Sequence, residues 1–211
     1  MKPGPPTETL TPLTSRGEST RERILQSAAE VLAEHGYAGT TLSDIAERAG
    51  TKAGSLYYYF TSREDLICEI MTRGITETIA HVTAAVEALD EGATSQERLA
   101  AAIGAHVRYL LTENDIARAS IRTLGQAPAE VQAPANVLHQ EYGHYLASLI
   151  KDATADGFLD PAIDSRVLRL LIAGAANWST AWYDSGGEAS VDDIADLAAR
   201  LATGQLAPPQ D

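Results

Sequence analysis

One stretch limits what this chain can fold into more than any other. It runs Thr40-Thr41-Leu42-Ser43-Asp44-Ile45-Ala46-Glu47-Arg48-Ala49-Gly50-Thr51-Lys52-Ala53-Gly54-Ser55-Leu56-Tyr57-Tyr58-Tyr59-Phe60, and it reads as two short helices around a glycine turn. Thr41, followed three residues later by Asp44, is a helix N-cap signal. Leu42, Ile45, Ala46 and Ala49 then recur at i, i+3, i+4 and i+7, which makes one apolar stripe. Gly50 stands where a helix C-terminus favours positive φ, and Thr51 can cap the next turn. The second helix places Leu56 and Phe60, four apart, on its buried side. Its other side carries Thr51, Gly54, Ser55, Tyr57 and Tyr58, with Lys52 and Arg63 close by. A short helix that turns small residues, tyrosines and cations outward suits a DNA major groove.

The net charge of −13 argues against nucleic acid when taken as one number. Its distribution says otherwise. Residues 16–63 hold six basic groups (Arg16, Arg21, Arg23, Arg48, Lys52, Arg63) against six acidic ones. Residues 64–211 hold nine basic and 22 acidic groups, so the excess lies outside the segment around the glycine turn. A neutral head with local cations can approach phosphate, while an acidic body is repelled by it.

Length and composition set the frame. A chain of 211 residues, 45% of them hydrophobic, holds one sizeable domain or a small one joined to a larger one, with a real core. No run of about 18 apolar residues is present, so no membrane span is expected. The absence of a basic-then-apolar start points to a cytoplasmic protein. Cys68 is the only cysteine, which excludes an intrachain disulfide and a cysteine-rich zinc site.

The pattern predicts an all-α fold of about nine helices with no alternating strand segment. Residues 1–18, rich in Pro, Thr, Gly and Ser, read as a flexible arm. A three-helix head follows over residues 19–63, opened by a capping box at Ser19-Thr20-Arg21-Glu22 and broken at His35-Gly36. The larger body spans residues 64–205, with a tail over 206–211. Its first long helix is capped by Thr61-Ser62, others by Thr94 and Ser190; a shorter helix begins at Asn114 and a long one at Asp164.

The head resembles that of the TetR family of bacterial transcriptional repressors. The resemblance rests on Thr20-Arg-Glu-Arg-Ile-Leu25, Thr40-Thr41, Asp44-Ile45-Ala46-x-x-Ala49-Gly50 and Ser55-Leu56-Tyr57-Tyr58-Tyr59-Phe60-x-Ser62-Arg63-Glu64-x-Leu66. It covers roughly residues 19–68, and an ordered set across three helices is a specific signal. It implies a homodimeric, ligand-responsive repressor on a double-stranded palindromic operator. DNA contacts then fall on Thr41, Ser43, Lys52, Gly54, Ser55, Tyr57, Tyr58, Tyr59 and Arg63. Tyr58 stands where many relatives have histidine.

The resemblance also implies dimerisation through the last two long helices. Val167, Leu171, Gly174, Trp178 and Trp182 form one stripe of a helix apolar over more than half its circumference. Ile194, Leu197, Ala198 and Leu201 form a matching stripe on the final helix. An effector would lie within the body, for which His106, Tyr109, Arg122, Tyr142, Tyr145 and Trp178 are the candidates. The run Trp178-Ser179-x-x-Trp182-Tyr183-x-x-Gly186-Gly187 resembles one in repressors of fatty-acid and steroid catabolism, which implies an elongated apolar or acyl-CoA ligand. No cofactor or metal is expected: His139 and His144 are five apart, about 140° around a helix, and cannot chelate one ion from one face. No hydrolase, phosphate-loop or dinucleotide motif proposes an enzyme. A DNA-binding activator or effector-independent regulator, and a helical enzyme or carrier with a structural head, stay open as alternatives.

Overall fold

The computed structural model describes residues 15–112 and 115–205, and within them it forms nine α-helices and no strand. The head comprises α1 (Ser15–Gly39), α2 (Leu42–Arg48) and α3 (Ala53–Leu56). The body comprises α4 (Arg63–Glu87), α5 (Ser95–Leu111), α6 (Asp115–Thr123), α7 (Ala129–Ala155), α8 (Ser165–Trp182) and α9 (Val191–Ala202). Among the described residues no helix is long and apolar enough to cross a membrane.

α1 starts upstream of its expected cap. Residues 15–18, expected as part of the arm, are helical, and residues 1–14 lie outside the described part. Thr20 shows the physical reason: its hydroxyl donates to Arg16 O one turn back (3.0 Å) instead of serving an N-terminus at residues 19–22. Glu18 in the first turn complements the positive end of the longer helix. The break expected at Gly36 is present as a kink, with φ 71° and ψ −178° inside the helical stretch. Asn114 lies outside the described residues, and α6 is described from Asp115. The caps at Ser62, Thr94, Asp164 and Ser190 each accept from a backbone N–H two or three residues on, as their spacing predicts.

One apolar core runs through both regions, and α4 carries it. In the head, Ile24, Leu25, Ala28 and Leu32 of α1 meet Ile45, Ala46, Leu56 and Phe60, all at most 3% exposed. Leu66, Ile67 and Ile70 of α4 close this layer, and Met71, Ile75 and Val82 continue it to Leu99 and Ile103 of α5 and Leu146 and Ile150 of α7. Each fully buried Leu or Ile contributes roughly 2 kcal/mol of transfer free energy. The head is therefore one end of a continuous core.

α6 wedges between α1 and α4. Ser120 donates to Met71 O (3.1 Å), and Gln26 of α1 donates to Asp115 (3.1 Å). The crossing is close because position 74 is glycine: a Cβ there would lie 2.5 Å from Ser120 Cβ. α9 is tied to α5 by Arg108, which reaches Asp192 (2.7 Å) and Asp196 (2.6 Å). α8 is held more lightly, with only Ala176 and Ser179 buried.

Candidate nucleic-acid interface and inner cavity

The first site is the exposed edge made by α2, the glycine turn and α3. Thr41 and Asp44 cap α2 reciprocally: the Thr41 hydroxyl accepts from Asp44 N (3.2 Å), and the Asp44 carboxylate accepts from Thr41 N (3.2 Å) and Oγ1 (2.7 Å). Thr41 and Ser43 are exposed at this helix start. Gly50 turns the chain at φ 60°, and Lys52 at the N-cap of α3 is exposed without a side-chain cap bond.

Leu56 and Phe60 pin α3 and the turns after it to the core, with Tyr59 N and Phe60 N donating to Leu56 O (2.9 and 3.0 Å). That anchoring turns Gly54, Ser55, Tyr57 and Tyr58 outward. Tyr57 is 61% and Tyr58 75% exposed, while Tyr59 is half-buried and edge-on to Tyr58 at 5.0 Å. Large aromatic rings left in water beside a cation mark a surface that another molecule covers.

The resemblance implies a DNA contact for Arg63, and in the protein its guanidinium is engaged internally. Nε donates to Thr40 O (2.8 Å), one terminal nitrogen donates to Tyr37 O, and the other meets Glu64 (3.2 Å). The group also lies 4.4 Å over the Tyr37 ring. Arg63 thus clamps the start of α4 to the connection between α1 and α2. Its acceptors are backbone carbonyls 23 and 26 residues away, for which sequence carries no signal. Arg48 is likewise paired with Glu30 (3.2 Å) and Glu34 (2.8 Å).

The second site is a cavity of about 160 Å³ lined by five helices. α4 contributes Gly74, Ile75 and Thr78, α5 His106 and Leu110, and α6 Ala117, Ser120 and Ile121. α7 contributes His139, Tyr142, Gly143 and Leu146, and α8 Arg169, Ala173 and Asn177. Of the six ligand candidates, His106 and Tyr142 meet here, with Nδ1 2.7 Å from the phenol oxygen and the rings stacked at 5.6 Å. His106 Nε2 is 3.4 Å from Asn177 Oδ1. Both contacts are satisfied when Nε2 carries the proton and Tyr142 donates to Nδ1. Burial pushes the His106 pKa down to about 4, against the pull of the Asn177 hydrogen bond and with help from His139. The ring is neutral at pH 7. Burial, with Tyr145 nearby, raises the Tyr142 phenol.

The other four candidates lie elsewhere. Tyr109 donates to Glu77 (2.5 Å) and stacks on His81 at 4.2 Å, on the α4 side. Tyr145 is part-buried, its phenol raised by burial and by Glu87 against the pull of Arg98. Arg122 and Trp178 line an open groove of about 810 Å³ bordered by α1, α6 and α8, which shares Ile121 and Asn177 with the inner cavity. Sequence reasoning missed Thr78, Asn177 and Arg169, and considered His139 only as a metal ligand. A signal did exist: Arg169 and Asn177, eight residues apart with the small Ala173 between them, put two polar groups on one side of a helix whose other side is apolar.

The third surface is that apolar face. Among the described residues thirteen large apolar side chains are exposed, and seven of them lie on α8 and α9: Val167, Leu170, Leu171, Trp178, Trp182, Leu197 and Leu201. Leu171, Ile172, Trp182, Ile194, Leu197, Ala198 and Leu201 line one groove between the two helices, about 460 Å³ in volume. Gly174 has open space above it. Of the expected interface residues, Leu171, Trp182, Ile194, Leu197, Ala198 and Leu201 line this groove, with Ile194 and Ala198 half-buried, whereas Gly174 and Trp178 line the groove towards α1 and α6.

These surfaces, on one core, define a helix-turn-helix transcriptional regulator with a separate helical body. Residues 24–70 match the bacterial regulatory proteins of the tetR family, and residues 92–206 match the tetracyclin repressor-like C-terminal domain. The chain belongs to the TetR family. It is 28% identical over 161 residues to the fatty acid metabolism regulator protein of Bacillus subtilis (strain 168), covering 76% of this chain and 81% of that protein. It is 24% identical over 204 residues to the transcriptional repressor KstR2 of Mycolicibacterium smegmatis, covering 93% and 95%. Its fold is similar to the crystal structure of AibR in complex with isovaleryl coenzyme A and operator DNA, with a TM-score of 0.78, 22% identity, and 87% and 98% of the two chains covered.

Proposed function

We propose that the protein is a homodimeric repressor that binds a near-palindromic operator and is released by an acyl-CoA-type effector bound in the body. The observation that carries this reading is the span of α4. Its first turn is clamped to the head by Arg63, and three turns on, Gly74, Ile75 and Thr78 line the inner cavity. A ligand that fills the cavity presses on the same helix that sets the position of the head.

Two heads joined through α8 and α9 would enter successive major grooves, with half-sites about 10 bp apart or a small multiple. Lys52, Tyr57 and Tyr58 would meet the DNA, with Thr41, Ser43, Gly54 and Ser55 close to phosphates and base edges. Ala53 and Gly54 offer little hydrogen bonding, so specificity would rest on Lys52, Ser55, thymine methyl contacts and DNA shape. Effector and operator then weaken each other's binding by one factor. The thioester class is supported by the fatty-acid regulator among the relatives and by the isovaleryl coenzyme A in the AibR complex.

A gel shift on the DNA upstream of the gene tests this. The protein should bind at low salt, the double variant Lys52→Ala, Tyr57→Ala should lose at least tenfold in affinity, and acyl-CoA thioesters should release the complex. Binding that ignores both the double variant and every thioester would sink the reading.

A further inference from the structure

The cavity linings carry more chemistry than an apolar ligand needs. Beside the inner cavity lies an open recess of about 300 Å³ lined by Asn136, His139, Gln140, Gly143, His144 and Arg169. His139, Gly143 and Arg169 belong to both linings, so they form the junction between the two spaces. In a body that holds all of the excess negative charge, neither lining contains a single carboxylate. Arg169 has no ion pair among the described residues, unlike Arg48, Arg73, Arg108 and Arg118. Its guanidinium lies close to α7 at Gly143, with one terminal nitrogen 2.9 Å from where a Cβ on that glycine would stand. Glycine at 143 is thus what lets this cation reach the junction. His139 Nε2 is buried there with no partner.

We infer that the effector's acyl group is short, about four to six carbons, and that its carboxyl-derived oxygen accepts from Arg169 at the junction. This rests on the reading of the cavity as the effector site. The size follows from volume: a cavity of roughly 150 Å³ takes a benzene-sized molecule, so one of about 160 Å³ takes a group of similar size. A long fatty chain or a steroid nucleus does not fit in that space. The orientation follows from the donors. Thr78 and Ser120 already give their protons to Gly74 O and Met71 O, and His106 is engaged by Tyr142 and Asn177. Arg169, His139 and the Asn177 amide NH2 remain as donors for an incoming oxygen. Of these only Arg169 and His139 stand at the junction, where a carboxylate or a thioester carbonyl satisfies both. Whatever follows the carbonyl leaves through the polar recess.

The test is a ligand series read by thermal shift and by operator release in parallel. It uses butyrate, isovalerate and hexanoate, their CoA thioesters, octanoyl-CoA, palmitoyl-CoA and CoA alone. The short arms should act at concentrations at least tenfold below palmitoyl-CoA, and Arg169→Gln should weaken them at least tenfold. Activity of the free acids identifies a carboxylate, and activity of thioesters alone identifies the thioester. Gly143→Ala, which displaces the guanidinium, should shift the series in the same direction. Operator binding by each ligand-free variant is the folding control. Preference for the long chain, or an unchanged response in Arg169→Gln, overturns the inference alone. Silence in every arm from protein that binds its operator overturns the acyl effector reading with it.

Discussion

Tyr57, 61% exposed on the head, and His106, 6% exposed in the body, show two ways of building a binding surface on one core. In the head, two buried anchors, Leu56 and Phe60, force their neighbours outward, so the working groups are local in sequence and wait in water. In the body, the groups that could touch a ligand come from five helices and face inward, held by each other. The first arrangement suits a charged polymer, which binds over a broad face and is drawn by unpaired cations. The second suits a small molecule, which must be surrounded before its few polar atoms can be told apart. α4 belongs to both, and the comparison therefore turns on whether the two regions respond together.

The largest expected effect attacks the joint use of two heads. Leu171→Glu with Trp182→Glu places two carboxylates on the exposed face of α8, where each side chain is more than half exposed in the protomer and the fold should tolerate them. Across a dimer they would be buried and unpaired, which costs about 3–5 kcal/mol for such a charge. The variant should sediment as a monomer with unchanged helicity, and operator affinity should fall by about a hundredfold or more. A double variant that stays dimeric at micromolar concentration would move the interface away from α8 and α9.

The next effect separates the regions by pH. His106 titrates near 6.5 when unfolded and is held down to about 4 by burial. Its contribution to stability is complete above pH 6.5 and is lost as pH falls towards 4, because only the unfolded chain gains the proton. The loss should approach roughly 3 kcal/mol. Denaturant melts at pH 7 and pH 4 should show the wild type losing that much more than His106→Asn. Equal losses would mean that the ring is not buried in its neutral form. Titrating operator binding over the same range should show no step that follows His106 while the protein stays folded.

The head was legible because its rules are local. Caps at Thr41 and Ser62, the apolar stripe of α2 and the exposed tyrosines each follow from spacings of three or four residues. The α8 and α9 stripe was legible for the same reason. What spacing could not supply was the direction of long polar side chains. Arg63 looks like a free cation in sequence and is claimed by carbonyls more than twenty residues away. Tyr109 and Tyr145 sit on helices that line the cavity, yet Tyr109 turns to Glu77 and neither residue is part of the lining. Arg169 and Asn177 are two isolated polar positions on a helix dominated by its apolar periodicity, which gives spacing alone little to act on.

The two cations at the head give the finest test, because one is engaged and the other is free. Arg63→Ala removes hydrogen bonds to Thr40 O and Tyr37 O and leaves half-buried carbonyls without that donor. It should lower stability by about 1–3 kcal/mol, and weaken DNA binding only as far as the head loosens. Lys52→Ala should leave the melting curve unchanged, since Lys52 is exposed and makes no cap bond. It should weaken operator binding by about 1 kcal/mol and reduce the slope of log affinity against log salt by about 0.9 if it neutralises one phosphate. The opposite pattern, a stable Arg63→Ala with a reduced salt slope and a destabilised Lys52→Ala, would exchange their roles. Measuring both slopes between about 50 and 200 mM salt on one operator fragment separates a residue that holds the head together from one that the head holds out to DNA.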